Sequence, residues 1–249
     1  YTLAPDSIHI HCQKDLPLSV LCKVFIPFKL VCTRHMNIIN KKHDIVHRFI
    51  YWQIDLYLTI SKVMLNDCKK IPMDPKKIRH IYNGVSSPMN FIQENRVSYF
   101  QKMDLNPRLF TIGILGRIDT GKGQRYCIEA VNLLHQQHCE VQLIIAGYVM
   151  DNAYLEECKR FVQSVNLEKY IRFIDFIEQP MTMLPTLNLV VLASKCESFG
   201  NILIEAMRCE IPVIGSNAGG VPEIITHEKS GLLFEPENSI DLAEKINLC

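Results

Sequence analysis

The sequence predicts an α/β chain of parallel sheets with crossover helices, divided into two units. Three observations carry this. Short β-branched runs alternate with helical stretches along the whole chain. Several runs are apolar on both faces, such as Leu143-Ile144-Ile145 and Leu189-Val190-Val191-Leu192, as buried parallel strands are. The charge also changes sign. Residues 1–83 carry 13 Lys/Arg against 6 Asp and no Glu, a balance of +7, and residues 84–249 carry 14 against 20, a balance of −6. Six of the nine His fall in the first stretch, so the two units are built for different partners.

The strands are expected, in order, at Ile8–His11, Lys29–Thr33, Leu56–Ile60, Ile78–Tyr82, Leu109–Leu115, Val141–Ala146, Ile171–Phe173, Leu189–Leu192, Pro212–Gly215 and Gly231–Phe234. Leu16–Leu30 is apolar but broken by Pro17, Lys23, Pro27 and Lys29, and reads as a core helix followed by a strand rather than a signal peptide. Asn83-Gly84-Val85-Ser86-Ser87-Pro88 is the strongest punctuation. It divides a partial basic domain, 1–83, from a nearly complete acidic domain, 84–249. The chain opens on Tyr1 and then directly on a strand, so a fragment lacking its N-terminal start is expected.

Composition excludes several classes. With 48% hydrophobic and 21% charged residues the chain can bury a core, and disorder is excluded. A net charge of +1 argues against a nucleic-acid partner. No apolar run reaches the ~18 residues that a membrane-spanning helix needs. The ten Cys contain no C-x-x-C pair, so no metal site is expected. They read as small buried hydrophobes of a reducing compartment, which points to the cytoplasm.

Three loops carry candidate chemistry. Gly116-Arg117-Ile118-Asp119-Thr120-Gly121-Lys122-Gly123 lies between a strand and the helix Gln124–Gln137. It falls one residue short of a P-loop, because Gly123 stands where a Mg²⁺-binding hydroxyl is needed. What survives is a glycine turn at a helix start with two cations, a setting that suits a diphosphate. Glu197-Ser198-Phe199-Gly200-Asn201-Ile202-Leu203-Ile204-Glu205 follows the strand Leu189–Leu192 and runs into a helix over Phe199–Cys209, with Ile202, Ala206 and Cys209 on one side. Glu197 precedes that helix and Glu205 lies two turns in. Either carboxylate can accept from ligand hydroxyls, while the plain alternative is a capping acid and a solvated helix face. Ser216-Asn217-Ala218-Gly219-Gly220-Val221-Pro222-Glu223 places two glycines where backbone can approach a ligand, or simply turn.

Together these motifs resemble the family 4, or group 1, retaining glycosyltransferases. The matching patterns are G-R-x-x-x-x-K-G at Gly116–Gly123, then E-x-F-G-x-x-x-x-E and G-G-x-P-E from Glu197 to Glu223. In the basic half, Pro5–His11, Thr33-Arg34-His35, Leu58–Ser61 and Ile81–Val85 resemble the family's strand, turn and crossover segments. The resemblance implies two Rossmann-like parallel-sheet domains, the first incomplete, with a nucleotide-sugar donor in the cleft between them. It implies that Arg117 and Lys122 bind the diphosphate beside Gly116, that Glu197 contacts the sugar and that Glu205 contacts the ribose. Gly200, Asn201 and Ile202 would offer backbone amides, and His35 would reach the transferred sugar. Retention of the donor's anomeric configuration is implied, with a glycan or lipid-linked acceptor as in cell-envelope polysaccharide or lipopolysaccharide synthesis. Two departures stand out: Asp175 replaces the usual Gly beside the base-binding loop, and the family's first strands are missing.

No Asp-x-Asp occurs, so no cofactor or metal is expected and the phosphate charge falls to Arg117, Lys122 and helix ends. Asn40–Tyr57 mixes Lys41, Lys42, His43, His47 and Arg48 with Ile45, Val46, Phe49, Ile50 and Trp52. Such a basic amphipathic helix either makes peripheral contact with anionic membrane, at its inner face, or packs on its own sheet. A non-catalytic nucleotide-sugar-binding remnant stays open as the alternative to an enzyme. A dehydrogenase does not fit, because no strand is followed by G-x-G-x-x-G.

Overall fold

The computed structural model describes residues 5–38, 40–85 and 95–249. The chain divides into two compact units, Tyr1–Gly84 and Val85–Cys249. Ser86, Ser87 and Pro88 of the expected junction lie outside the described residues.

Unit 1 runs β1 (Ser7–Ile10), α1 (Leu16–Phe25), β2 (Lys29–Arg34), α2 (Ile45–Trp52), β3 (Leu56–Thr59), α3 (Lys62–Asp67) and β4 (Ile78–His80). Its four strands are parallel in the order β1-β2-β3-β4. Ile10, Leu30, Cys32 and Tyr57 form the buried face of the sheet.

The helices of this unit correct two expectations. α1 was expected to be a core helix, yet it buries only Leu16 and Val20 and leaves Leu18, Leu21, Val24 and Phe25 in solvent. The helix expected over 40–57 spans only Ile45–Trp52. Asp44 caps it by accepting from the His47 N–H at 3.0 Å, and the chain turns into β3 at Leu56. Only part of its apolar side packs on the sheet, with Tyr51 in the core beside Tyr57 and Ile50 against it. Tyr51 is buried, whereas Ile45 is 85% exposed and Trp52 70% exposed, with Val46 and Phe49 beside them. A helix laid on a sheet buries one stripe, and these two helices carry apolar residues well outside it.

Unit 2 runs α4 (Arg96–Lys102), β5 (Phe110–Leu115), α5 (Gln124–Gln136), β6 (Val141–Ala146), α6 (Asn152–Ser164), β7 (Ile171–Ile174), α7 (Pro180–Met183), β8 (Leu189–Leu192), α8 (Asn201–Arg208), β9 (Val213–Ser216), β10 (Leu232–Phe234) and α9 (Ser239–Asn247). Its six strands are parallel in the order β10-β9-β8-β5-β6-β7. The chain therefore builds outward from β5 through β6 and β7, then returns to β8 on the other side. β5 and β8 flank the point where the order reverses, pairing Ile112 with Leu189 and Gly113 with Val190.

Apolar clusters cover both faces. Ile112, Ile114, Leu143, Ile145, Leu189 and Val191 face α5, α6 and α9. Ile144, Val190, Leu192 and Val213 face the side of α4, α7 and α8. This burial on both faces is why the strands read as continuous apolar runs.

α8 differs from its expectation. The chain is left-handed at Gly200 (φ 107°), so the helix begins at Asn201 and Glu205 sits one turn in. Leu203 and Ala206 are fully buried, and Ile202 and Cys209 pack partly buried against the same core. Ile202 also borders a surface cavity.

All ten cysteines are free thiols. Burial raises Cys32, Cys68 and Cys158 to about 11, so they behave as small apolar side chains. Among the described residues no helix is long and apolar enough to cross a membrane.

Candidate functional site

In a parallel sheet the loops at the carboxyl ends of the strands converge where strand order reverses. In unit 2 those are the loops after β5 and β8, which carry Gly116–Gly123 and Ala193–Gly200. The fold brings them together, and an ion pair joins their side chains: Lys122 Nζ lies 2.6 Å from Glu197 Oε2. The two residues are 75 positions apart in sequence. Both side chains are largely buried, at 21% and 16% exposure.

The Glu197 carboxylate is held on several sides. Ser194 Oγ donates to Oε2 at 3.1 Å and the Ser198 N–H donates to Oε1 at 3.2 Å. The third loop packs underneath. The Gly220 N–H donates to the Glu197 carbonyl at 2.8 Å. A Cβ on Gly219 would stand 2.1 Å from that carbonyl oxygen, so only glycine fits. The two glycines thus permit a close approach of backbone to the Glu197 loop, where the sequence suggested approach to a ligand.

Glu205 points to a different environment. It is half-buried on α8, and among the described residues its carboxylate meets no hydrogen-bond partner. Burial raises its carboxyl above the usual glutamate range. A desolvated carboxylate without a donor is costly unless a ligand supplies one.

Gly116, Arg117 and Ile202 come together around a cavity of about 310 Å³ with Leu115, Ala146, Gly147, Tyr148, Phe176, Ile177 and Pro180. It lies at the carboxyl ends of β5, β6 and β7. Arg117 is half-exposed and stands 3.7 Å from Asp119. The Arg117 carbonyl accepts from Gln124 Nε2 at 2.7 Å, which ties the loop to the start of α5. Gly200 is the N-cap of α8, and Asn201 and Ile202 open its first turn at the carboxyl end of β8. Asp175 is exposed in the loop after β7.

Sequence reasoning missed Ser194, Tyr148 and Phe176. Their only signal was position, immediately after a buried strand, and many residues share it.

His35 lies in unit 1, just past β2, as part of an imidazole cluster. His11 Nδ1 and His35 Nε2 are 2.9 Å apart, so one ring donates and the other accepts. His9 Nε2 is 2.7 Å from Thr33 Oγ1, and the His9 and His11 rings are 4.2 Å apart. Parallel register sets this up, because it places His9 alongside Val31 and Ile10 alongside Cys32, so the two chains leave the sheet together toward His11 and His35. Burial, then His11, then His9 lower the His35 pKa, and burial and His11 lower that of His9. His35 is therefore neutral at pH 7. Among the described residues no group of three His, Cys, Asp or Glu is arranged to hold a metal ion.

The sequence profile described as glycosyl transferases group 1 matches residues 95–249. The chain belongs to this family. Among curated relatives, the N-acetyl-alpha-D-glucosaminyl L-malate synthase of Bacillus anthracis is 27% identical over 80% of this chain and 51% of its own length. An N-acetylgalactosaminyltransferase of Campylobacter jejuni, named for a diphospho-undecaprenol-linked acceptor, is 25% identical over 80% of this chain and 53% of its own. The structure of Anabaena HepE, in complex with UDP and glucose, superposes with a TM-score of 0.84 at 24% identity, covering 98% of this chain and 68% of that one. That likeness shows the fold: two parallel-sheet α/β units of the Rossmann-like glycosyltransferase type. The chain spans about half the length of the curated relatives it matches.

Proposed function

We propose that the protein is a retaining glycosyltransferase that moves a sugar from a nucleoside-diphosphate sugar to a glycan or lipid-linked acceptor. The carrying observation is the Lys122–Glu197 pair at the carboxyl ends of β5 and β8, where strand order reverses. A cation and a sugar-hydroxyl acceptor stand side by side there, as a diphosphate joined to a sugar requires.

In this reading unit 2 is the donor-binding domain. Lys122, Arg117 and the first N–H groups of α8 at Gly200, Asn201 and Ile202 take the diphosphate. Glu197 accepts from sugar hydroxyls. Glu205, desolvated and unpartnered, accepts from the ribose diol. The cavity between Tyr148, Phe176 and Ile202 takes the base, with Gly116 letting the chain pass beside it. UDP is the first nucleotide to try, since a structural neighbour was solved with it.

The chemistry follows from charge. As the glycosidic bond breaks, negative charge builds on the leaving diphosphate. Lys122, Arg117 and the N–H groups aimed at it stabilise that state more than the bound donor. The leaving diphosphate is then the base placed to take the acceptor's proton on the face it departs from, which retains configuration. Neutral His35 supplies a hydrogen bond to the transferred sugar. Phosphate charge is handled without a metal.

Unit 1 is the acceptor-side domain. Its +7 balance and the exposed Leu18, Leu21, Phe25, Ile45, Phe49 and Trp52 suit a peripheral contact with anionic membrane at its inner, cytoplasmic face. That contact favours a lipid-linked acceptor, as in cell-envelope polysaccharide or lipopolysaccharide assembly.

A donor screen tests the reading. Thermal unfolding of the chain is measured with a panel of nucleoside diphosphates, their sugar conjugates and bare nucleosides. The unfolding midpoint should rise far more with diphosphate-bearing ligands than with bare nucleosides. Equal shifts from nucleosides, or none from any nucleotide sugar, would refute the donor site. Sedimentation with anionic against zwitterionic vesicles, with Phe49→Ser and Trp52→Ser as controls, tests the membrane contact separately.

A further inference from the structure

Lys122 does two jobs that conflict. In the unliganded protein its ammonium is committed to Glu197 at 2.6 Å. A diphosphate needs the same ammonium. We infer that Glu197 and the donor's diphosphate compete for Lys122, and that this competition makes Glu197 select a nucleotide sugar over the bare nucleoside diphosphate. The inference rests on the phosphate role of Lys122 proposed above.

The surroundings leave Glu197 nowhere else to go. Its loop is fixed by the Gly220 N–H and by the 2.1 Å that separates a Gly219 Cβ from its carbonyl oxygen. The facing loop is fixed too, since the Lys195 N–H donates to the Gly121 carbonyl at 2.9 Å. Backbone therefore holds both loops, and the Lys122–Glu197 contact is the part that can open. Among the described residues the two nearest cations in sequence are already engaged. Lys195 is two residues away, but its ammonium sits 2.6 Å from Glu237, which also accepts from Tyr126 OH at 2.8 Å. Arg117 lies beside Asp119.

A bare nucleoside diphosphate that draws Lys122 away leaves a desolvated carboxylate with only Ser194 and Ser198 as donors, next to a new anion. Both effects oppose its binding. A nucleotide sugar brings the same diphosphate, but its hydroxyls then donate to the freed Oε2. The cost is offset for the donor and not for the spent product. Glu197 would thus help to eject the nucleoside diphosphate after transfer, as well as to hold the sugar.

The test is a double-mutant cycle on the chain, read as ligand affinity. Glu197→Gln keeps the shape and the acceptor of the Ser198 N–H but removes the charge. Pyrophosphate is the first probe, because it has neither base nor sugar; UDP and UDP-glucose follow. Glu197→Gln should bind pyrophosphate and UDP about threefold to tenfold more tightly than the parent, the range for a partly buried pair. UDP-glucose should gain less, so the preference for it over UDP falls. In a Lys122→Ala background the Glu197→Gln gain should shrink to the part that comes from carboxylate–phosphate repulsion, and an undiminished gain would overturn the competition for Lys122. Unchanged or weaker pyrophosphate and UDP binding by Glu197→Gln would overturn the inference and mean that the pair merely shapes the loop. If Lys122→Ala alone leaves pyrophosphate binding intact, the phosphate reading itself fails, and the two failures are distinguishable.

Discussion

Arg96 and Lys122 are both cations drawn into unit 2, and they tie the same two strands at opposite ends. At the amino ends of β5 and β8, Arg96 donates to the carbonyls of Pro107 (3.0 Å), Leu109 (2.9 Å) and Thr186, and to Thr111 Oγ1 (3.2 Å) and Asn188 Oδ1 (2.7 Å). Asn188 Oδ1 also accepts from the Thr111 N–H at 2.9 Å. Every nitrogen of the guanidinium is used. At the carboxyl ends, Lys122 meets one acceptor among the described residues, Glu197, and keeps donor capacity in reserve. A saturated cation is architecture, whereas one with donors in reserve, at the carboxyl ends of the strands where strand order reverses, is a candidate site.

The largest effect should come from the saturated end. Arg96→Ala strands several acceptors and should cost about 2–4 kcal/mol of unfolding free energy, read from the urea midpoint. Arg96→Lys should recover only part, because an ammonium cannot span that fan of acceptors. A loss under about 0.5 kcal/mol would erase the contrast between the two ends.

Lys122→Ala should behave in the opposite way. Stability should fall by about 1–2 kcal/mol, less than for Arg96→Ala, since Glu197 loses its cation but keeps Ser194 Oγ and the Ser198 N–H as donors. Affinity for a nucleoside diphosphate should fall about tenfold to a hundredfold, with the bare nucleoside spared. Titration calorimetry with the two ligands checks this, and equal losses for both would make Lys122 structural.

Glu205 sharpens the comparison through pH. Burial lifts its carboxyl above the usual glutamate range, so the folded protein keeps this proton to higher pH than the unfolded chain. Folding is favoured where the group is protonated, and stability is lost as pH rises through the folded value. Glu205→Gln should therefore unfold at a higher temperature than the parent at pH 7 and at the same temperature near pH ~4, where both carry a neutral side chain. The same variant should bind nucleotide more weakly, and a gain in stability without that loss would remove the ribose role.

The smallest expected effect is none. Sugar transfer should be insensitive to EDTA if Arg117, Lys122 and the start of α8 carry the phosphate charge. Loss on chelation with recovery in Mg²⁺ or Mn²⁺ would move that charge onto a metal.

Much of this was legible in the chain. Periodicity located all ten strands to within two residues, because a strand buried on both faces has a local signature. The glycine and acidic loops stood out, since few residues turn sharply at the end of an apolar run. Helix faces were less legible. The left-handed turn at Gly200 set the start of α8 at Asn201 rather than Phe199. α1 and α2 showed apolar periodicity without showing which residues would meet the sheet.

What the sequence determined by itself was therefore local: the strands, the crossover helices, the charge division, and which loops held glycine, cation and carboxylate. What only the tertiary structure decided was who meets whom. Nothing in residues 116–123 says that Lys122 faces Glu197, that Gly219 and Gly220 brace the Glu197 loop, or that Tyr148 and Phe176 border one cavity with Ile202. Those contacts depend on β8 returning to the free side of β5. That choice rests on the handedness and packing of crossovers over the whole sheet, to which no single segment holds the key.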